Sequence, residues 1–247
     1  MGIRIKICGI TNEVDAQAAA RLGADALGFI FYPKSVRFVT PEVALEIITK
    51  LPPFVSTVGV FVDEPADRIV RTAEMCGLNA VQIYPNGPGG PDEFDESLSD
   101  LPFRVIRAIR VKDAGSLKVI SSYKGGTAFL LDTYRPGTPG GTGSSFDWDL
   151  VKKYIPDYRI IIAGGLSAEN VGRVVGEYAP YGVDAASGVE SEPGVKDHQK
   201  LERFITNARK SSLKGTSLNE ASLKGTSLNG ASLKRAQLKG DIEDAVS

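Results

Sequence analysis

Two side chains able to move protons each close an apolar run. Cys8 ends Ile3-Arg4-Ile5-Lys6-Ile7-Cys8, where isoleucines alternate with cations at the period of a pleated strand, and Gly9 then lets the chain turn. Asp132 ends Ala128-Phe129-Leu130-Leu131. A carboxyl held among apolar groups keeps its proton and serves as an acid, while a thiolate takes a proton as a base. The chain has 1 histidine, so few other groups would act as a base near neutral pH. An ordinary thiol titrates near ~8.5, so Cys8 needs positive surroundings to ionise. Without such a role, Cys8 is a small buried hydrophobe and Asp132 a turn or capping aspartate.

Arg37, in Ser35-Val36-Arg37, offers a planar fork for a carboxylate. Three small-residue segments follow later apolar runs: Gly141-Thr142-Gly143, Gly164-Gly165 and Ser187-Gly188. Short side chains there let backbone N–H groups approach an anion, and together the segments point to a phosphorylated substrate. Taken singly, each is an ordinary turn.

The elements that must bring these residues together read as alternating strands and helices. Strand patterns cover 4–8, 26–31, 56–62, 80–83, 104–109, 128–131, 159–163 and 182–185, and the clearest helical patterns cover 13–22, 41–50, 65–76, 168–177 and 195–210. Thr40 before Pro41, Glu64 before Pro65, and Ser167 before Glu169-Asn170 signal helix starts. Eight such units predict an α/β chain folded as a (β/α)8 TIM barrel, whose chemistry sits at the carboxyl ends of the strands. The alternative is an open, doubly wound sheet.

The 247 residues suit one barrel with an appendage, and the expected units are 1–210 and 211–247. A net charge of -1 gives no reason to expect a nucleic-acid or anionic-membrane partner. No apolar run is long enough to span a membrane, and the start lacks the pattern of a signal peptide. Cys8 and Cys76 are too few for a disulfide framework. The expected location is the cytoplasm, as a monomer or homodimer. Cys76 is expected to pack in a helix, and His198 to lie on the surface.

From Ser211 the leucines recur at 213, 218, 223, 228, 233 and 238. A period of five suits neither a helix, where each step turns ~140°, nor a strand. It resembles the pentapeptide-repeat family, whose leucines fill a four-sided β-helix. Six pentads make a short solenoid, so the expectation is either a flexible tail or a short β-helix.

The segments KICGIT, GADALGFIFYPKSVR, VGVFV, LLDT, PGGTGSSFDW, AGGL and SGVE, in this order, resemble the phosphoribosylanthranilate isomerase family. That resemblance implies an Amadori rearrangement in tryptophan biosynthesis: N-(5-phospho-β-D-ribosyl)anthranilate becomes 1-(2-carboxyphenylamino)-1-deoxyribulose 5-phosphate. It implies Asp132 as acid, Cys8 as base, Arg37 on the anthranilate carboxylate and the glycine segments on the phosphate. It implies no cofactor and no metal, since the imine itself accepts electrons. Asp184 matches a pocket-lining aspartate of the family. After the fourth strand the family usually carries histidine, where this chain has Tyr84, which keeps an aromatic ring and a polar tip for substrate but cannot carry charge near neutrality. Two rivals remain: an isomerase of another phosphoribosyl amine, and a barrel scaffold whose repeats recruit a partner. The histidine-pathway isomerases place an aspartate base where Cys8 stands, which counts against the first.

Overall fold

The computed structural model describes residues 2–84, 103–123, 128–133 and 147–225, with side chains as far as Leu213. Eight parallel strands close a barrel in chain order: β1 (Arg4–Cys8), β2 (Ala26–Ile30), β3 (Ser56–Val62), β4 (Ala80–Tyr84), β5 (Arg104–Val111), β6 (Ala128–Thr133), β7 (Arg159–Ile162) and β8 (Gly182–Ala185). Closure comes from β8 pairing with β1, in the register Ile5↔Val183 and Lys6↔Asp184. This rules out an open sheet.

Because strand side chains alternate, each strand has an outer and an inner face. Ile5, Ile7, Leu27, Phe29, Phe129 and Ile162 point outward and are fully buried beneath the helices. The inner face carries Val60, Ala108, Leu130 and Ile161 together with Cys8 and Tyr84. Lys6, Gln82, Asp132 and Asp184 share that face and are also buried. Polar and ionisable residues therefore share the barrel's inside with aliphatic ones, and its sheath is apolar.

Helix ends follow local chemistry. Before α1 (Glu13–Leu22), the Asn12 side chain accepts the Asp15 N–H at 2.9 Å, and Gly23 ends the helix at φ 96. Thr40 caps α2 (Pro41–Ile48), as its sequence signal predicts. At α3 (Ala66–Cys76), Pro65 rather than Glu64 holds the cap position. Helix α4 (Val171–Tyr178) starts later than its signal at Ser167. The Asn170 side chain accepts the Ser167 N–H at 2.9 Å and donates to the Gly165 carbonyl at 2.8 Å, which folds 165–170 into a turn first.

The helix expected over 195–210 also differs at its start. Val195–Lys196 forms β10, antiparallel to β9 (Glu190–Glu192), and α5 spans His198–Gly225. The Asp15 carboxylate accepts the Lys196 N–H at 2.8 Å and Thr11 donates to the Gly194 carbonyl, holding the hairpin extended. Leu201, Phe204, Ile205 and Ala208 of α5 are buried against the barrel. Its contact with the barrel reaches the first pentad, where Ser212 Oγ accepts the Ile3 N–H at 3.1 Å. Leu213, the first repeat leucine, is 71% exposed. The backbone stays helical through three pentads to Gly225, and the remaining repeats lie outside the described residues. No helix among the described residues is long and apolar enough to cross a membrane.

Candidate active site

A cavity of about 300 Å³ opens at the carboxyl ends of the strands, a volume at the small end of small-molecule sites. Cys8 from β1, Tyr84 from β4, Asp132 from β6 and Asp184 from β8 line it, with Arg37 from the segment after β2. Gly164, Gly165, Ser187 and Gly188 also line it. The structure thus brings together every proposed site residue that it describes; Gly141, Thr142 and Gly143 lie outside the described residues.

Asp132 accepts the Thr133 N–H at 2.8 Å and the Tyr84 hydroxyl at 3.2 Å. Burial pushes its carboxyl above the ordinary range, the Asp184 charge adds to this, and the two hydrogen bonds oppose it. That direction suits an acid. Tyr84 is itself buried, with Arg110 stacked 4.8 Å from its ring centroid. Burial and the neighbouring carboxylates hold its hydroxyl well above its usual value, so it acts as a neutral donor. Its tip is directed at Asp132.

Burial also raises the Cys8 thiol. Lys6 opposes that rise, Asp184 adds to it, and Lys196 opposes it. Two cations that favour the thiolate are therefore present and partly offset burial, and sequence reasoning missed both lysines. Lys6 Nζ lies 3.0 Å from Asp184 Oδ1, with both side chains under a tenth exposed. Burial would lower the Lys6 ammonium, but Asp184 and Cys8 more than compensate, leaving it above its ordinary value.

Arg37 grips Glu190 through two nitrogens, at 2.6 Å from Nη2 and 2.8 Å from Nε. Lys196 Nζ donates to the same carboxylate at 2.8 Å and to the Cys8 carbonyl at 2.7 Å. Burial alone would raise Glu190, but the bonds from Arg37 and the Lys196 charge hold it below the usual range. The cluster of two cations and one anion fixes the planar face of Arg37 at the cavity wall. Glu190 was also missed in the sequence, since its partner Arg37 is remote along the chain.

The glycines act in two ways. Gly164 and Gly165 are left-handed, at φ 74 and φ 68. A side chain on Gly164 would overlap Thr133 and crowd Asp132 Oδ1, and one on Gly188 would overlap the Leu166 carbonyl. The turns after β7 and β8 therefore pack against each other and against the acid, so backbone replaces side chains along this wall.

Cys76 and His198 stand away from the cavity. Cys76 is buried in α3, its thiol pushed up to about 11 by burial. His198 is half-exposed, with Nε2 2.8 Å from Asp15 Oδ1.

Comparison with known proteins places this geometry. The family model described as N-(5'phosphoribosyl)anthranilate (PRA) isomerase matches residues 5–207. The chain belongs to this family. Among its relatives, N-(5'-phosphoribosyl)anthranilate isomerase of Pelobacter propionicus is 45% identical over 214 residues, covering 87% of this chain and 99% of that protein. The crystal structure of the Thermotoga maritima phosphoribosyl anthranilate isomerase superposes with a TM-score of 0.75 at 40% identity, covering 84% of this chain and 99% of that one. A family structure in complex with reduced 1-(o-carboxyphenylamino)-1-deoxyribulose 5-phosphate has a TM-score of 0.73 at 39% identity, with the same coverage. A pentapeptide-repeat model matches residues 206–240 in 8 copies, so the match begins before the six pentads counted from Ser211, within α5.

Proposed function

We propose that this barrel catalyses the Amadori rearrangement of N-(5-phospho-β-D-ribosyl)anthranilate in tryptophan biosynthesis, with Asp132 as acid and Cys8 as base. The observation that carries these roles is their joint placement on one small cavity, from β1 and β6, with the carboxyl raised by burial. Asp132 donates its proton to the ribose ring oxygen as the C1–O bond breaks, giving an iminium at C1. The Cys8 thiolate removes the C2 proton, the C–H electron pair forms C1=C2, and the iminium π pair returns to nitrogen. The enol then loses its O2 proton and C1 gains one, so the reaction is an isomerisation with no net proton change. Each group contributes ~10²–10⁴-fold.

Arg37 holds the anthranilate carboxylate on its remaining guanidinium edge, Asp184 and Tyr84 face the substrate body, and the wall from Gly164, Gly165, Ser187 and Gly188 takes the phosphate. Gly141, Thr142 and Gly143 would complete that phosphate site. Residues 1–210 form the catalytic unit and 211–247 an appendage, acting in the cytoplasm as a monomer or homodimer. The test is the purified protein with freshly generated phosphoribosylanthranilate. Substrate fluorescence is expected to disappear faster than by spontaneous decay, and no acceleration would refute the assignment.

A further inference from the structure

Lys6 is a buried cation that neither the acid step nor the substrate contacts use. It lies one pleat below Cys8 on the inner face of β1, so the two side chains rise toward the same point. Gly28, the register partner of Cys8 on β2, leaves the space they share. A Cβ there would lie 2.8 Å from Cys8 Sγ and 3.0 Å from Lys6 Nζ. Both atoms thus converge on one empty spot, inside the ~4–6 Å range over which opposite charges favour ionisation. On the far side Asp184 holds the ammonium at 3.0 Å.

We propose that Lys6 is the counter-cation of the Cys8 thiolate, clamped in position by Asp184. The inference rests on Cys8 being the base. A structural role alone accounts poorly for the pair: a buried ion pair gains little over apolar residues of the same volume, and barrel interiors are ordinarily filled by branched aliphatic side chains. The substrate makes a cation more necessary, because its phosphate and carboxylate bring further negative charge into the cavity where the thiol must lose its proton. Lys196 is less suited, since its ammonium is shared between Glu190 and the Cys8 carbonyl. Around Sγ the facing groups are Lys6 on β1, Asp184 on β8, Lys196 on β10, Arg37 after β2 and Tyr84 on β4. Of these, Lys6 exerts the largest favourable effect on the thiolate. In turnover, the thiol first releases its proton to solvent; the thiolate then takes the C2 proton and becomes a thiol again, with Lys6 charged throughout.

The test reads the thiol without substrate. In a Cys76→Ser background, iodoacetamide alkylation of Cys8 is followed against pH in the full-length protein, together with kcat and KM. Lys6→Met is expected to move the alkylation midpoint up by at least about one pH unit, which lowers the thiolate fraction near neutrality about tenfold. The kcat should fall by a similar factor while KM changes by less than about threefold. Lys6→Arg, which keeps the charge, should recover most of the shift. If Lys6→Met does not fold, Lys6→Gln, which can still bond Asp184, carries the same expectation. A midpoint unmoved in a folded Lys6→Met or Lys6→Gln protein overturns the proposal. Absence of turnover in the parent would refute the isomerase assignment instead, and the alkylation result would still stand.

Discussion

The outer and inner faces of the same eight strands obey opposite rules. Outward, Ile5, Ile7, Phe129 and Ile162 are fully buried under the helices and make apolar contact. Inward, at almost equal burial, stand Lys6, Cys8, Tyr84, Asp132 and Asp184. Burial therefore does not distinguish them, but its consequence does. On the outer face removal from water stabilises directly, whereas on the inner face it displaces ionisation, raising both Cys8 and Asp132. One strand can thus supply stability on one side and chemistry on the other. It follows that substitutions on the two faces should fail in different assays.

The largest effects should come from the inner face. Cys8→Ala and Asp132→Asn should each lower kcat by ~10²–10⁴-fold, with urea unfolding midpoints close to the parent's. Near-parental turnover in either variant would remove that residue from its role. Phe129→Ala tests the converse. Phe129 is fully buried and makes edge contacts with Tyr123 and Tyr158 at centroid distances of 5.2 and 5.7 Å. Its loss should cost about 3–5 kcal/mol in chemical denaturation, leaving kcat/KM of the folded fraction within about twofold. If turnover collapses at full stability, the division between faces is wrong.

The outer face was far more legible in the sequence than the inner one. Alternating isoleucines in β1 and apolar runs in β6 and β7 signal strands whatever their partners are, and all eight strands follow from such patterns. Cys8 and Asp132 were legible because a chemically active side chain stands where an apolar run stops. Lys6 has the opposite property. In an alternating strand a lysine reads as the solvated side, but a closed barrel has no solvated side, only a second interior. Glu190 and Lys196 were hidden for another reason. Their bonds to Arg37 and the Cys8 carbonyl join segments more than 150 residues apart. Val195 and Lys196 also read as the start of a helix, whereas Asp15 and Thr11 hold the hairpin extended. The pentads show a third kind of failure. Their period fits no regular element, yet the helix docked by Phe204 and Ala208 continues through three of them.

Glu190→Gln should give a smaller and mixed effect, because Glu190 sits where the two rules meet. The change leaves Arg37 and Lys196 buried beside a neutral partner that still accepts hydrogen bonds, at a cost of about 3 kcal/mol. KM should rise as Arg37 loses its fixed orientation. The sign with pH is defined: a carboxyl held low in the folded state stabilises fully above the ordinary glutamate value of ~4.3, and that contribution disappears as pH falls through the lowered value. Unfolding midpoints of the parent should therefore drop in acid more steeply than those of Glu190→Gln. Parallel curves would show that Glu190 contributes nothing through its charge.

Tyr84→Phe should have the smallest effect, and it isolates one hydrogen bond. The Tyr84 hydroxyl donates to Asp132 and so favours the ionised carboxylate. Removing it should raise the carboxyl further while leaving the ring and its Arg110 contact in place. The proposed chemistry needs Asp132 protonated and Cys8 ionised, and burial, which raises both groups, favours the first state and opposes the second. The limb of the kcat/KM profile that reports Asp132 should therefore move up, by about one unit. The rate itself responds less. More of the enzyme carries a protonated Asp132, but that acid is weaker, and the opposed changes should leave kcat within about threefold. A limb that stays in place would mean that Tyr84 acts on the substrate rather than on the acid.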